Sequence, residues 1–425
     1  MQPAEIRDSG ALLGTALGEV AEIARDVHKA VSSRLFGLIG GAAAPVQQAH
    51  DAISAVAYGG ARIGVRAIPA AVGAAASVLR DPTVESIDDN PRAHFALSAL
   101  NGFWGDRLAE QRAALAPALS LRTHDGRLRR VAGNLGHDAA DQATGRLVVF
   151  VHGLCESDRY WWYGAGKHHA DPDVTFGSLL RDEQGWTPLY AVYNTGLHVS
   201  ENGRLLADYL DRLVASWPVP VTEVALVGHS MGGLVVRSAA HQGAEGGQAW
   251  IESLRHVVGL GAPHHGAPLE RFVNRGTHAM ARLPETRPFA DWLNRRSVGI
   301  KDLRHGSVLE GDWFGIDPDD HLDHRTDATL LPGVAYSMVS ATLSRRPDGL
   351  FAHDLLVQHT SAHGSGPARP IDFDVDRLFH IGRRTHFDLL SDPQVYAVLR
   401  GWLAGADGAA PATDPDDAPN ATAAG

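Results

Sequence analysis

The residues whose types and spacing best indicate catalysis lie in one short stretch, from Gly228 to Gly233, with the sequence GHSMGG. The apolar residues 224–227 before it are typical of a buried strand, and the apolar residues 234–236 after it favour a helix. A serine on such a turn has a strained backbone, and glycines two residues to either side leave room for it. The dipole at a helix N-terminus favours the oxyanion of acyl transfer, so the pattern predicts Ser230 as a nucleophile.

A serine hydroxyl needs a base to accept its proton. Histidine has a suitable pKa and a second ring nitrogen for an orienting carboxylate. The chain contains 23 histidines, so the choice rests on chain order, in which the histidine follows the last strand. His386 satisfies this order, whereas His380 lies inside the preceding predicted strand. We therefore predict His386 as the base.

Two aspartates follow the predicted strand at 333–339 and are candidates for the orienting acid. Asp348 lies in the sequence RPDG, which is typical of a plain turn. Asp354 begins the sequence DLLV and is preferred. The predicted catalytic residues are therefore Ser230, Asp354 and His386.

The negative charge of a tetrahedral intermediate requires two backbone N–H donors. Met231 directly follows the nucleophile and supplies one of them. Leu154 is predicted to supply the other, from the loop that follows the predicted strand 146–151. Gly153 permits the unusual backbone turn that presents the Leu154 amide.

Residues around this loop and the serine are candidates for substrate contact: His152, Gly153, His229, Trp161 and His264. Two of these side chains have a second interpretation. Trp161 is equally well explained as a core aromatic residue. His264 is explained as part of the turn at 263–266.

The segments around these residues alternate between strand and helix patterns, which is typical of an α/β fold with a mostly parallel sheet and helices on both faces. A hairpin at 119–123 and 128–131 opens the sheet. Later strands are predicted at 146–151, 188–193, 224–227, 256–260, 333–339 and 378–381, with helices at 176–181, 203–217 and 393–403. Residues 91–403 form the predicted α/β domain.

The segment 270–330 breaks the alternation and is predicted to be an inserted cap or lid over the active site. The alternative is a loosely ordered excursion without a function. Within it, residues 317–327 include His321, His324 and several aspartates, but nothing enforces a metal geometry, and a solvated loop is the preferred interpretation. No metal or cofactor is predicted.

Residues 1–90 have apolar positions at helical spacing and are predicted to form a helical N-terminal appendage that ends near Asn90-Pro91. The simpler interpretation is a hairpin that packs on the main domain. The alternative is a surface that contacts lipid, a polymer or a partner. Residues 404–425 lack periodicity and are predicted to be a disordered tail.

Five motifs carry a resemblance to a known family: FVHGL at 150–154, GHSMGG at 228–233, GLGAPHHG at 259–266, DLLV at 354–357 and HFDLL at 386–390. Residues 146 to about 402 resemble bacterial α/β-hydrolase lipases and esterases, most of all the group related to GPI inositol-deacylases. The resemblance implies the α/β-hydrolase fold and carboxylic-ester hydrolysis. It also implies that Ser230, Asp354 and His386 form the triad, with Leu154 and Met231 as oxyanion donors. Relatives usually have Asp-Gly at the acid, where this chain has Asp354-Leu355.

The expected function is therefore a serine hydrolase that cleaves small-molecule or lipid esters through an acyl-enzyme. Thioesters and amides pass through the same oxyanion, so a thioesterase or amidase remains an alternative. Another is an interaction protein that binds a lipid or polymer surface through its N-terminal helices.

Composition limits the kinds of partner and the location that we expect for this protein. The net charge of −11 argues against nucleic-acid binding through a basic surface. A single cysteine, Cys155, excludes an internal disulfide. The N-terminus lacks a basic segment leading into an apolar run, and no stretch of about 20 residues is free of charge. We therefore expect a cytoplasmic protein without a transmembrane segment.

Overall fold

The computed structural model describes residues 1–39, 44–78, 91–111, 113–124, 128–129, 143–268, 286–318, 322–347, 352–366 and 369–404, and the isolated positions 270, 277, 280, 282–284 and 320. The chain divides into two units. The first comprises residues 1–117 and 269–301, and the second comprises residues 118–268 and 302–425.

The helices and strands are numbered in chain order. The helices are α1 (Pro3–Ile39), α2 (Ala44–Val78), α3 (Pro91–Glu110), α4 (Ala165–His168), α5 (Phe176–Gln184), α6 (Val199–Ala215), α7 (Met231–Glu245), α8 (Arg287–Leu293), α9 (Val298–Asp302), α10 (His359–Ala362) and α11 (Pro393–Leu403). The strands are β1 (Ser120–Thr123), β2 (Leu128–Arg129), β3 (Arg146–Val151), β4 (Thr187–Val192), β5 (Glu223–His229), β6 (Leu254–Leu260), β7 (Ala335–Thr342) and β8 (Leu378–Gly382).

In the first unit, α1 and α2 pair as an antiparallel hairpin. The helices approach closely where they lack side chains, since a Cβ on Gly10 would lie 2.8 Å from the Cα of Gly73. Further along, Glu22 of α1 accepts hydrogen bonds from Arg62 at 3.0 Å and from Arg66 at 3.2 Å. The predicted helical N-terminal region is therefore present.

The first unit extends beyond the predicted boundary at residue 90. It includes α3, whose Phe103 carbonyl accepts a hydrogen bond from the Ser297 amide at 3.0 Å. It also includes a buried ion pair between Glu270 and Arg296 at 2.6 Å. The segment 270–330, predicted as one insertion, is thus divided between the two units at residues 301 and 302. The sequence pattern did not show this division because the contacts join segments almost 200 residues apart.

The second unit is built on an eight-stranded sheet with the strand order β2-β1-β4-β3-β5-β6-β7-β8. The strands from β4 to β8 in this order pair in parallel, and β1 pairs antiparallel with both β2 and β4. The predicted opening hairpin is therefore present at the sheet edge, while its turn at 125–127 and residues 130–142 lie outside the described residues.

Side-chain alternation along β3 shows why helices cover both faces of this sheet. Leu147, Val149 and Val151 point into one core, which α6 and α7 complete with leucine and valine side chains. Val148 and Phe150 point into the other core, where they meet residues of α5 and α11. Strands buried on both faces read as continuous apolar runs, which is the pattern of a central parallel sheet. The α/β fold class is confirmed.

One described helix, α2, is long and apolar enough by length and composition to cross a membrane. Its most apolar window has a mean hydropathy of 1.2, and 6% of that window is buried. We predicted no membrane-spanning segment from the sequence, whereas the described residues include this one candidate. Core helices of soluble proteins and signal sequences pass the same test.

Candidate active site

Ser230 occupies the sharp turn between β5 and α7. Its φ of +52° and ψ of −125° are unfavourable for a residue with a Cβ, and such strain persists only where surrounding contacts impose it. One such contact is the hydrogen bond that the Ser230 amide donates to the Leu260 carbonyl at 2.8 Å. The side chain is partly exposed, whereas the residues on either side of it are buried. The turn therefore presents a hydroxyl at the C-terminal edge of the sheet.

The flanking glycines are required by close backbone approaches. A Cβ on Gly228 would collide with the carbonyl of Gly232. A Cβ on Gly232 would collide with the carbonyls of Val151 and His152, at the end of β3. Both glycines are thus explained by sterics, and the second brings the loop after β3 against the serine turn.

His386 and Asp354 form a buried pair beside this turn. The Nδ1 atom of His386 lies 2.6 Å from Oδ2 of Asp354, and both residues are 1% exposed. The other carboxylate oxygen, Oδ1, accepts hydrogen bonds from the amides of Leu356 at 3.0 Å and Val357 at 2.8 Å. The His386 amide also donates to the Asp354 carbonyl at 2.9 Å. These contacts fix the carboxylate so that Oδ2 faces the imidazole.

The pKa values of the pair shift in opposite directions. Burial alone would raise the pKa of Asp354, but the charge of His386 and the hydrogen bonds to the carboxylate bring it below its ordinary value. Burial alone would lower the pKa of His386, but the carboxylate of Asp354, and after it that of Glu156, raise it above its ordinary value. The arrangement therefore stabilises a protonated imidazole.

The second nitrogen of His386, Nε2, is buried and has no hydrogen-bond partner among the described residues. The ring lies over the end of β6, where a Cβ on Gly261 would be 3.0 Å from the His386 Cε1. The residue before this glycine is Leu260, whose carbonyl accepts the hydrogen bond from the Ser230 amide. The hydroxyl and Nε2 do not share a hydrogen bond in this arrangement, and such bonds are commonly long until substrate binds.

Of the two residues that were alternatives for the acid and the base, the structure describes one, His380. His380 lies on β8 and its Nε2 is 2.8 Å from the Thr342 hydroxyl, away from the Asp354 carboxylate. Asp348 lies outside the described residues.

The loop after β3 lies against the nucleophile. A Cβ on Gly153 would be 2.9 Å from the Cβ of Ser230, so only glycine fits this approach. Leu154 follows in the same loop. Met231 is the first residue of α7, where a backbone N–H has no partner within the helix. Both predicted donors are therefore on segments adjacent to Ser230.

A residue missed by the sequence analysis, Glu156, joins these segments. Its Oε2 accepts a hydrogen bond from the Gly153 amide at 2.7 Å and lies 3.0 Å from Nδ1 of His229. The Nε2 of His229 lies 3.1 Å from the carbonyl oxygen of His386. The available sequence signal was a glutamate three residues after the loop glycine, which alone does not predict a contact with residue 229.

The side chains predicted to contact substrate are buried instead. His229 is 0% exposed, with both ring nitrogens facing protein acceptors. His152 stacks on Tyr193 with ring centroids 4.4 Å apart. Trp161 packs edge-on against Phe150 in the core, which is its second interpretation. In this structure these side chains make contacts within the protein, and their part in substrate binding stays a prediction.

His264 is also fully buried, with Nε2 3.2 Å from the Met338 sulfur. Its carbonyl accepts a hydrogen bond from Arg325 at 2.6 Å. Its side chain is therefore directed into the protein, which agrees with its second interpretation as a residue that shapes the turn.

Among the described residues, neither Cys155 nor the acidic loop, residues 317–327, offers a second catalytic or metal centre. Burial raises the pKa of the Cys155 thiol to about 12, so the thiol is protonated near neutral pH. In the acidic loop, Asp323 pairs with Arg325 at 2.7 Å and Asp320 lies 2.9 Å from His324, while His321 lies outside the described residues. Among the residues that the structure describes, no group of three or more histidine, cysteine or acidic side chains could hold a metal ion.

Comparison with known sequence families agrees with this fold. The sequence profile described as PGAP1-like alpha/beta domain matches residues 142–319. No curated protein matches the chain significantly in sequence. Solved structures that match include three bacterial proteins.

The mature lipase BlEst2 of Bacillus licheniformis is 19% identical, with a TM-score of 0.35, and the match covers 58% of this chain and 86% of that one. EstA of Clostridium botulinum is 11% identical, with a TM-score of 0.37 and coverages of 65% and 92%. The carboxylesterase CesB of Bacillus subtilis is 10% identical, with a TM-score of 0.32 and coverages of 61% and 84%. The family resemblance seen in the motifs is confirmed by the profile match: residues 142–319 are similar to a PGAP1-like alpha/beta domain, and the order of the strands is consistent with an α/β-hydrolase fold.

Proposed function

We propose that the protein is a serine hydrolase that cleaves carboxylic esters through an acyl-enzyme. Ser230 is the nucleophile, His386 the base and Asp354 the acid that orients it. The observation that carries this proposal is the buried Asp354–His386 pair, because its Nε2 has no partner among the described residues and its ring centroid lies 4.5 Å from that of His229, the residue before the serine. A buried imidazole held by a carboxylate on one side, with the other nitrogen unpartnered, is suited to accept a proton from a hydroxyl.

The proposed reaction begins when Ser230 Oγ attacks the ester carbonyl carbon and His386 Nε2 accepts the hydroxyl proton. The carbonyl oxygen becomes an oxyanion and accepts hydrogen bonds from the amides of Leu154 and Met231. His386 then donates the proton to the departing alkoxide, which leaves an acyl group on the serine. Water repeats the same steps to release the carboxylic acid. Throughout, Asp354 keeps the Nδ1 proton of His386 in place so that Nε2 remains the acceptor.

Esters are favoured over thioesters and amides because the motifs of the chain resemble those of lipases, esterases and GPI inositol-deacylases. The machinery itself does not discriminate, since all three substrates pass through an oxyanion. Matched p-nitrophenyl, thioester and anilide substrates with one acyl chain would rank the three classes by kcat/KM. A higher kcat/KM for the thioester or the anilide would transfer the proposal to that class.

A fluorophosphonate tests the proposed function directly. Such reagents phosphonylate an activated serine, so one equivalent per chain is expected to abolish the hydrolysis of p-nitrophenyl butyrate. The measurement is residual activity against the fraction of protein that carries the adduct. Full labelling with full retention of hydrolysis would contradict the proposal.

We also propose that the α1–α2 hairpin contacts a lipid surface. Large apolar side chains on α2 are exposed to solvent, including Ile53 at 71%, Val56 at 77% and Ile63 at 65%. The two arginines of this helix are partly neutralised by Glu22 of α1. An exposed apolar helix with few free charges is the composition expected where a protein meets lipid.

A vesicle co-sedimentation experiment tests this surface. Ile63→Glu places a charge on the apolar face and is expected to reduce the fraction of full-length protein bound to phosphatidylcholine vesicles several-fold, because charge disfavours insertion. Gln48→Glu is the matched control, since it adds the same charge at an exposed polar position and should leave binding unchanged. Equal binding of the two variants, or binding only to polyester particles, would refute the lipid surface.

A further inference from the structure

We propose that Glu156 and His229 form a second histidine–carboxylate pair, which positions the oxyanion loop and the base relative to the serine. This inference rests on the proposed function and names two positioning residues for the same site. Both side chains are buried, Glu156 at 6% and His229 at 0% exposure. The pair touches the segments whose placement the reaction depends on.

On one side, Glu156 holds the loop that follows β3. A single oxygen atom, Oε2, accepts a hydrogen bond from the Gly153 amide at 2.7 Å. This contact fixes the peptide between His152 and Gly153. A second contact fixes the next peptide, because the Glu156 amide donates to the Gly153 carbonyl at 3.2 Å, and the Leu154 amide on that peptide is left for the oxyanion.

On the other side, His229 reaches the base. Its Nε2 lies 3.1 Å from the carbonyl oxygen of His386, and the two imidazole rings have centroids 4.5 Å apart. His229 also immediately precedes Ser230 in the chain. The pair therefore connects three segments: the oxyanion loop, the nucleophile turn and the segment that carries the base.

Each ring nitrogen of His229 faces a hydrogen-bond acceptor. The His386 carbonyl can only accept, so Nε2 of His229 must carry a proton. The Nδ1 atom faces the same carboxylate oxygen that already accepts the Gly153 amide. Burial alone would raise the pKa of Glu156, but the charge of His229 and the hydrogen bonds hold it below its ordinary value. Both ring nitrogens of His229 thus face hydrogen-bond acceptors, and the imidazole is paired with the Glu156 carboxylate.

A purely structural role explains this pair poorly. Removing two charges from water is costly, and well-packed apolar residues in the same space are often equally stable or more stable. The contacts of this pair go instead to the segments that must be held near the serine. Positional errors of about 1 Å at such segments cost about 100-fold in rate, which gives the pair a role in positioning.

Glu156→Gln tests the proposal in the full chain. In the wild type one carboxylate oxygen makes both contacts. The amide oxygen of a glutamine could still accept the hydrogen bond from Gly153, but His229 would lose its anionic partner. We expect kcat for p-nitrophenyl butyrate to fall about 10- to 100-fold with little change in KM, because oxyanion stabilisation acts in the transition state. Glu156→Asp keeps the charge and should recover part of this loss.

The pH profile of kcat/KM distinguishes a positioning role of Glu156 from a general effect on the stability of the protein. Among the described residues, the titratable groups that face His386 are Asp354, Glu156 and His229. Because the Glu156 carboxylate raises the pKa of His386, its removal should move the acid limb of kcat/KM to lower pH. The matched control is Asp158→Asn, which removes another buried carboxylate of the same loop, paired with Arg122 at 3.2 Å. This variant should keep the wild-type kcat and acid limb.

The outcomes are distinguishable from a failure of the proposed function. If the Ser230→Ala variant hydrolyses esters as fast as the wild type, the proposed function itself is wrong. If hydrolysis requires Ser230 but Glu156→Gln matches Asp158→Asn in kcat and acid limb, the inference alone is overturned. The folded wild type gives a further test: nitrogen-15 NMR should show an N–H proton at Nε2 of His229, and a bare Nε2 would contradict its hydrogen bond to the His386 carbonyl.

Discussion

Ser230→Ala is expected to lower kcat for ester hydrolysis by about 10⁴-fold or more, because removing the nucleophile of such a triad leaves only binding and oxyanion stabilisation. The substitution removes one oxygen atom and keeps the Cβ, so the strained turn and its contacts remain. The measurement is the steady-state rate with p-nitrophenyl butyrate at a pH above the pKa of His386.

The control for this variant is its thermal unfolding. The Ser230 side chain makes no hydrogen bond within the described residues, so the melting temperature should stay close to that of the wild type. A folded Ser230→Ala protein with a rate within about tenfold of the wild type would remove Ser230 from the mechanism.

Asp354→Asn is expected to lower kcat by about 10³- to 10⁴-fold through the wrong imidazole tautomer. Oδ1 of Asp354 accepts the amides of Leu356 and Val357, so the oxygen of an asparagine should keep that position. Its NH₂ group would then face Nδ1 of His386 and donate to it. The remaining imidazole proton would move to Nε2, which could no longer accept the serine proton.

The same variant has a defined effect on the pH dependence. Activity requires a neutral His386 and falls as the pH drops through its pKa, which Asp354 raises above the ordinary value of about 6.5. In the wild type the acid limb of kcat/KM therefore lies above that value. Loss of the carboxylate should move the limb of the residual activity to lower pH. An unchanged limb, or a limb at higher pH, would be incompatible with the pairing of residues 354 and 386.

The sequence predicted the sheet and the serine turn because both depend on local patterns. Apolar runs such as β3 and β5 are buried on both faces, and the spacing of Gly228 and Gly232 about Ser230 reflects backbone collisions. Chain order selected His386, and chain order together with the turn sequence around Asp348 selected Asp354. The structure brings Nδ1 of His386 and Oδ2 of Asp354 to 2.6 Å. Their catalytic roles stay predictions.

Other features could not be predicted because they depend on contacts between distant segments. Glu156 meets a histidine 73 positions away, and that histidine meets a carbonyl 157 positions away. No local pattern encodes either contact. For the same reason, the sequence assigned His229 to substrate contact. The division of residues 270–330 between the two units likewise depends on packing against distant helices. The cytoplasmic location stays a prediction.

The most direct test of the central claim is the identity of the residue that a fluorophosphonate modifies. The full-length protein is labelled until hydrolysis stops, digested, and analysed by tandem mass spectrometry. The account predicts a single phosphonyl adduct on Ser230, and no adduct after His386→Ala under the same conditions, since the hydroxyl then lacks its base. An adduct on another residue that accompanies the loss of activity would contradict the claim that Ser230 is the nucleophile.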